Sequence, residues 1–143
     1  MVSIKTQFSV FLVNKPGVLA TVTAALADAG VNVTALAMMD AVENGVLRFI
    51  CDQADRAREV LNSTDHHWTE TQVLVIEMEN QPGAIAKVAQ VMAKAHISVA
   101  YAYITGGVGD GRTSAVFKMA DTARAYKILA EKFGSQTPPE SGD

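Results

Sequence analysis

Two short segments of this sequence have the residue types of a carboxylate-binding turn. Residues 14–17 read Asn-Lys-Pro-Gly and residues 80–83 read Asn-Gln-Pro-Gly. The asparagine side chain can both donate and accept hydrogen bonds, and a glycine lets a ligand approach the backbone closely. A helix that begins just after the glycine would present free N–H groups and a partial positive charge, which suit a carboxylate. The same four residues also make an ordinary strand-to-helix turn, so both interpretations stay open at this point.

These two turns belong to a longer internal repeat. The offset of 66 residues that relates Asn14 to Asn80 matches eight of the twenty positions from 14 to 33, and it still aligns Ala54 with Ala120. A constant offset over this length indicates two copies of one folding unit. We therefore expect a first repeat over residues 1–71 and a second over 72–134. The tail at 135–143 is rich in Pro, Gly and Ser, and we expect it to be disordered.

The hydrophobic pattern of each copy predicts the elements that position the turns. Apolar residues alternate before each turn, which is typical of a half-buried strand, and recur every three or four positions after it, which is typical of an amphipathic helix. Two further strands and a second helix follow in each copy. Copy one also has a candidate fourth strand at 66–71. Copy two shows no equivalent, so it either lacks this strand or receives it from elsewhere.

The end of the first helix differs between the copies. Gly30 suits a helix C-terminus, where glycine accommodates a positive φ. Copy two has His96 at this position, which is less comfortable if the position needs a positive φ.

The strand, the Asn-x-Pro-Gly turn, the helix and the β-branched strand that follows resemble the ACT domain family. In copy one the resemblance rests on Asn14–Leu19 and Gly30–Val33, and it covers about residues 4–134. It implies an α+β fold of two ferredoxin-like βαββαβ units. These would lie side by side in a continuous antiparallel sheet, with the helices on one face.

The resemblance also implies a ligand site. Family members bind small ligands, usually amino acids, at the interface between units, through the turn before the first helix and through the second strand. Carried over residue by residue, the ligand-binding set is Asn14, Gly17, Val18, Leu19, Asn32 and Val33 in copy one, and Asn80, Gly83, Ala84, Ile85, Ser98, Val99, Tyr101 and Tyr103 in copy two. Many members have Asp where this chain has Asn14 and Asn80. The amide gives up the charge that would hold a ligand ammonium.

Other classes of function find little support in the sequence. The net charge of -3 and the scattered Lys and Arg residues argue against nucleic acid. No apolar run approaches the roughly 20 residues that span a bilayer, so we expect a cytoplasmic protein with no membrane partner. The single cysteine, Cys51, lies in an apolar stretch and is read as a packed hydrophobe rather than a reactive thiol.

Two further motifs resemble functional sites but do not fit them. Residues 106–113 resemble a phosphate-binding loop, but Arg112 stands where lysine is required and strands flank the segment, which favours a hairpin loop. Asp65, His66 and His67 are adjacent, and neighbouring strand residues point to opposite faces, so we predict no metal site. No nucleophile with a matched base is evident.

The sequence therefore predicts a regulatory protein without a cofactor that is not an enzyme. It would bind an amino acid or a similar carboxylate, form a homodimer and act on another protein, such as a metabolic enzyme or regulator. One alternative is a structural adaptor whose sheets only mediate dimerisation. A less favoured one is a small enzyme, because ferredoxin-like scaffolds host many functions.

Overall fold

The same order of strands and helices occurs twice along the chain. A computed structural model describes residues 1–13, 15–39, 44–106 and 111–135, and within these it contains six strands and four helices. Their bounds are β1 Val2–Val13, α1 Val18–Asp28, β2 Val33–Met39, β3 Asn44–Cys51, α2 Ala54–Asn62, β4 Trp68–Glu79, α3 Ala84–Lys94, β5 Val99–Thr105, β6 Arg112–Met119 and α4 Thr122–Phe133. Most of the predicted tail, residues 136–143, and part of the Gly-rich hairpin loop, residues 107–110, lie outside the described residues.

The chain divides into two units by its internal contacts. The first unit is Thr6–Thr71, and the second combines Met1–Lys5 with the chain from Gln72 onward. The strand order is β2-β3-β1-β4 in the first unit and β1-β4-β6-β5 in the second, and paired strands are antiparallel. Each unit thus has the order of a ferredoxin-like βαββαβ fold, which confirms the predicted α+β class.

The first unit is held together by the predicted alternation of β1 and the helical stripe of α1. Phe8, Val10 and Leu12 are essentially inaccessible to solvent and face the helices, whereas the intervening Phe11 is 39% exposed. Across the strand pair, Phe8 lies opposite Phe49, with ring centroids 5.3 Å apart. Helices α1 and α2 close this core with their own apolar stripes, formed by Val18, Val22, Leu26, Ala57 and Leu61.

The second unit repeats this arrangement, except that its fourth strand comes from the start of the chain. Leu74, Ile76 and Met78 of β4 form its core with α3 and α4. The fourth-strand position, however, is occupied by the N-terminal residues. The Glu77 N–H donates to the carbonyl of Met1 (2.9 Å), and the Val2 N–H donates to the carbonyl of Gly134 (2.8 Å).

Met1–Lys5, which the repeat assigns to the first copy, therefore group with the second unit. Val2 is fully buried in the second core, and Ile4 packs against that core. The reason is strand length. β1 and β4 have 12 residues each, enough for one segment of each strand to serve each unit.

The first helix of each repeat, α1 or α3, is followed by a residue in the left-handed conformation. Gly30 has φ 75°, and the Val31 N–H bonds to the Leu26 carbonyl (2.9 Å), the pattern of a Schellman C-cap. His96 takes the same position in the second unit with φ 57°, and it is the only described residue other than glycine with a positive φ. The positive φ that the repeat indicated for position 96 is thus confirmed. An L-residue is strained in this conformation.

Within the described ranges, no helix of the chain is long and apolar enough to cross a lipid bilayer.

The helix ends lead to a paired stability prediction. Replacing His96→Gly removes the left-handed strain and should raise the free energy of unfolding by about 1 kcal/mol, whereas Gly30→Ala should lower it by about 1 kcal/mol. An added Cβ at Gly30 would meet only the Arg56 guanidinium, 3.6 Å away, so sterics do not confuse the comparison. Urea denaturation measures both values. Changes of the same sign in the two variants would contradict this account.

The N-terminal strand leads to a second prediction. Val2→Ala should destabilise the protein by about 1–3 kcal/mol because it removes buried apolar surface from the second core. Lys5→Ala, at an exposed position of the same strand, should stay within about 0.5 kcal/mol. Hydrogen exchange should show the loss of protection in β4 and α4. Equal effects of the two substitutions would contradict the placement of Val2.

Candidate functional site

The two turns at the starts of α1 and α3 have almost the same backbone geometry. Gly17 and Gly83 are the N-cap residues, with φ 88° and 89° and ψ -12° in both. Only glycine adopts this conformation without strain, which explains its presence in both copies. A Cβ placed on either glycine would meet nothing within 4 Å, so the space in front of each turn is open.

The helix that follows Gly83 begins with backbone donors that have no acceptor among the described residues. The first helical bonds run from the Thr21 N–H to the Gly17 carbonyl and from the Lys87 N–H to the Gly83 carbonyl, both 3.0 Å. In the second unit the amides just before this bond, those of Ile85 and Ala86, donate to no acceptor among the described residues. Neither glycine N-cap supplies a side-chain hydrogen bond. The second turn therefore keeps the donors and the partial positive charge that suit a carboxylate.

The asparagine of the second turn is fixed by a contact that the sequence analysis did not anticipate. The Asn80 N–H donates to the carbonyl of Gly111 (2.8 Å), at the start of β6, and Gly111 has φ 73°. The Asn80 residue itself stays exposed. Gly45 precedes Gly111 by the repeat offset of 66 residues, and this identity was the signal that could have revealed the role. The predicted ligand residue Asn14 lies outside the described residues.

The apolar residues of the two turns divide into core and surface. Val18 is only 9% exposed and belongs to the first core, whereas Leu19 is 38% exposed. In the second unit Ala84 is half-buried against the core and Ile85 is 40% exposed. Leu19 and Ile85 are thus the accessible apolar surfaces beside the open turns.

The second-strand residues of the predicted set lie at the other end of their units. Val33 pairs with Cys51 at the end of β3, whereas Val13, just before the first turn, pairs with Asn44 at its start. Helix α1 separates the two ends by about 16 Å. The Asn32 N–H is bound by the Asp52 carboxylate (2.9 Å). A site that used both sets could not lie within the first unit alone.

The second unit shows the same separation. Val99, which follows Ser98, pairs with Met119, whereas Glu79, just before the second turn, pairs with Arg112. The two predicted tyrosines occupy the strand between these ends. Tyr101 lies opposite Lys118 and Tyr103 opposite Val116, on the sheet face away from the helices, and both are half-buried.

A comparison with protein families decides what these units are. The family model described as ACT domain pair matches residues 2–135. This chain belongs to the ACT domain family. The two units are therefore ACT units, as the sequence resemblance implied.

Solved structures share the fold of this chain. The chain is similar to protein BT0572 from Bacteroides thetaiotaomicron, with 29% identity over 92% of this chain and 90% of that one and a TM-score of 0.84. It is also similar in fold to the ligand-free regulatory subunit of aspartate kinase from Thermus thermophilus, with 17% identity over 92% and 96% and a TM-score of 0.65. No curated protein matches this chain.

Cys51 is the single cysteine of the sequence, and its surroundings do not activate it. Cys51 is half-buried against the first core, as the sequence predicted, and desolvation by burial raises the pKa of its thiol. A raised pKa lowers the thiolate fraction and hence nucleophilicity. Within residues 1–13, 15–39, 44–106 and 111–135, no three His, Cys, Asp or Glu side chains are grouped to hold a metal ion. His67 instead stacks on Phe11, with ring centroids 5.3 Å apart.

The positive φ of Gly17 and Gly83 leads to a prediction about their replacement by alanine. Gly17→Ala and Gly83→Ala should each lower the free energy of unfolding by about 1–2 kcal/mol, because the positive φ strains an L-residue although space is available. Denaturation in urea checks this, and the matched φ values lead us to expect similar losses. A loss well below 0.5 kcal/mol in both variants would show that the turns relax to another conformation.

Proposed function

We propose that this chain is a non-catalytic sensor that binds an amino acid or a similar small carboxylate at the turns before α1 and α3. The observation that carries the proposal is the open helix N-terminus behind Gly83, where the Ile85 and Ala86 amides have no acceptor in the described structure. The equivalent turn at Gly17 has the same backbone conformation. Membership of the ACT family supports this use of the turns.

The proposed contacts follow from the chemistry of the turn. The ligand carboxylate would accept hydrogen bonds from the amides of Ile85 and Ala86, and the Asn80 side-chain oxygen would accept one from the ligand ammonium. The exposed side chain of Ile85, or of Leu19 in the first unit, would contact the ligand side chain. These apolar surfaces favour a hydrophobic, aromatic or imidazole side chain over a charged one.

The remaining members of the predicted set enter the proposal as a second group. Asn32, Val33, Ser98 and Val99 lie about a helix length from the turns of their own units. They would contribute only where ACT units meet, which is the arrangement that the family resemblance implies. A homodimer in the cytoplasm remains part of the proposal.

Regulation would follow from differential binding. A ligand shifts an equilibrium only by the difference in its affinity for the two states, so the bound and free forms must differ in how they contact a target protein. We propose that the target is a metabolic enzyme or a regulator. The Thermus thermophilus protein of similar fold is called a regulatory subunit of aspartate kinase, and a comparable division of labour is what the proposal assigns to this chain.

The proposal predicts stabilisation by at least one amino acid. A thermal-shift screen of the proteinogenic amino acids at millimolar concentration should raise the Tm with one or a few of them. A ligand at 100 times its Kd would add about 2.7 kcal/mol, a shift of several degrees. Assembly that is indifferent to every amino acid would instead support the adaptor alternative.

A charge placed in the first helical turn tests the location of the site. Ala86→Glu puts a carboxylate where the ligand carboxylate would bind, so the affinity should fall at least about tenfold. The helix itself should gain a few tenths of a kcal/mol, because an acidic residue suits its first turn. Ala86→Gln is the matched neutral control, and Ala20→Glu makes the same change in the first unit, at an equally exposed position.

The pattern of affinities among these variants identifies the turn in use. Loss with Ala86→Glu alone places the ligand in the second unit, and loss with Ala20→Glu alone places it in the first. Isothermal titration with the amino acid found in the screen measures the affinities. Unchanged binding in both glutamate variants would overturn the proposed site.

A further inference from the structure

The helix face of the second unit carries a groove that the proposed ligand site does not use. It lies between α3 and α4 and has a volume of 630 Å³. Its apolar surface comes from Val91, Ala95, Ile128 and Phe133. Its other lining residues are Gln90 and four basic residues, and none of the described residues that line it is acidic.

The basic residues form two pairs, one at each end of the groove. The Arg124 guanidinium donates to the Ala95 carbonyl (2.7 Å), which shows that the end of α3 lies beside the start of α4. Lys94 and Arg124 therefore mark one end. Lys87, near the start of α3, and Lys132, near the end of α4, mark the other end. Each lies about two helical turns from the basic residue of its own helix at the first end.

The spacing between the two charged ends follows from helix geometry. Lys87 and Lys94 are seven residues apart, and Arg124 and Lys132 are eight apart, which corresponds to about 10–12 Å along the helix axes. Val91 and Ile128 lie midway between them in sequence and on the same helix faces. The groove thus has an apolar middle and two positive ends.

The lysines are not needed to build the unit. At the repeat offset of 66, the first copy has Thr21, Asp28 and His66 in place of Lys87, Lys94 and Lys132. The first unit nevertheless has the same strand order and an equivalent core. In the described parts of the chain none of the three lysines takes part in a salt bridge, although the whole protein has a net charge of -3.

We propose that this groove docks an acidic amphipathic helix of a partner protein. Two acidic residues seven or eight positions apart on one helix face are separated by the same 10–12 Å as the two basic ends, about two turns. Apolar residues between them would pack on Val91 and Ile128, a helix-in-groove contact. Charge complementarity selects the acidic helix, because each end of the groove has two basic residues and, among the described lining residues, no carboxylate.

This interaction extends the proposed function by giving the regulator a surface for its target. It stands on different residues from the ligand turns. Peptide binding is measured without any amino acid present, so either proposal can fail while the other holds.

The test uses the full chain and a designed peptide. The probe is a fluorescein-labelled, end-capped, alanine-rich helix of about 18 residues, with two glutamates seven positions apart and two leucines between them. Fluorescence anisotropy should show saturable binding with a Kd below about 1 mM, weakening as salt is raised. A peptide with glutamines in place of the glutamates should bind about tenfold more weakly.

Variants of the protein locate the contact. The double substitution Lys87→Gln and Lys132→Gln removes one positive end and should weaken binding about 5–10-fold. Lys127→Gln is the matched control, because this exposed lysine lies on α4 but does not line the groove. It should change the affinity less than about twofold. Circular dichroism should show the same helix content in all variants, since glutamine and lysine have similar helix propensities.

Three outcomes would overturn the proposal. One is the absence of saturable peptide binding to the unmodified protein. Another is equal binding of the glutamate and glutamine peptides, which would mark a purely apolar contact. The third is a loss with Lys127→Gln as large as that with the double variant. A lysine-dependent rise in Tm with inorganic pyrophosphate, without peptide binding, would instead assign the groove to a small anion.

Discussion

The completion of each four-stranded unit is the constraint on which the rest of this structure depends. A βαββαβ unit leaves its fourth-strand edge open unless a strand pairs there, and an open edge exposes unpaired N–H and carbonyl groups. In the first unit this strand is the start of β4, and in the second it is the start of β1. Two 12-residue strands thus serve two units. Val2, at the beginning of the chain, is consequently a core residue of the second unit.

Once the sheets are complete, the glycine turns follow from local geometry. After each first strand the chain reverses through Pro and Gly, and a helix begins directly after the glycine. The positive φ at Gly17 and Gly83 is what lets the helix start without a side-chain cap. A side-chain cap would occupy the donors that the proposed carboxylate needs. The glycine N-cap, which leaves the first helical turn without a side-chain cap, is therefore also the feature that suits the proposed ligand.

The two copies share a fold but have diverged in their surfaces. His96 keeps a left-handed helix end that Gly30 forms without strain. Lysines flank the α3–α4 groove where the first copy has Thr21, Asp28 and His66. Duplication allows such a division, because the core residues that both copies need are separate from the residues at the turns and on the helix faces. The helix face of the second unit thereby carries a basic groove, whereas the first copy has no lysine at the three equivalent positions.

The helices and strands, the duplication and the family could all be inferred from the residue pattern. Alternation in β1, the helical stripes and the repeated Asn-x-Pro-Gly turns are local patterns, and local patterns are set by residue type and spacing. The positive φ at position 96 could also be inferred, because Gly30 marks the equivalent position. The turn residues of the candidate site were identified in the same way, from short motifs that carry their own geometry.

The tertiary structure was needed to show which segment completes the second unit. Met1 bonds to Glu77, 76 positions away, and such long-range strand pairing leaves no periodic signal in the sequence. The tertiary structure also decided that the second-strand residues of the candidate site stand a helix length from the turns of their own unit, since strand direction, not sequence distance, sets which ends meet. The groove between α3 and α4 appeared for the same reason. Lys94 and Arg124 are 30 positions apart in the sequence, and Lys87 and Lys132 are 45 apart. They come together because the chain passes through β5 and β6 before α4 returns beside α3.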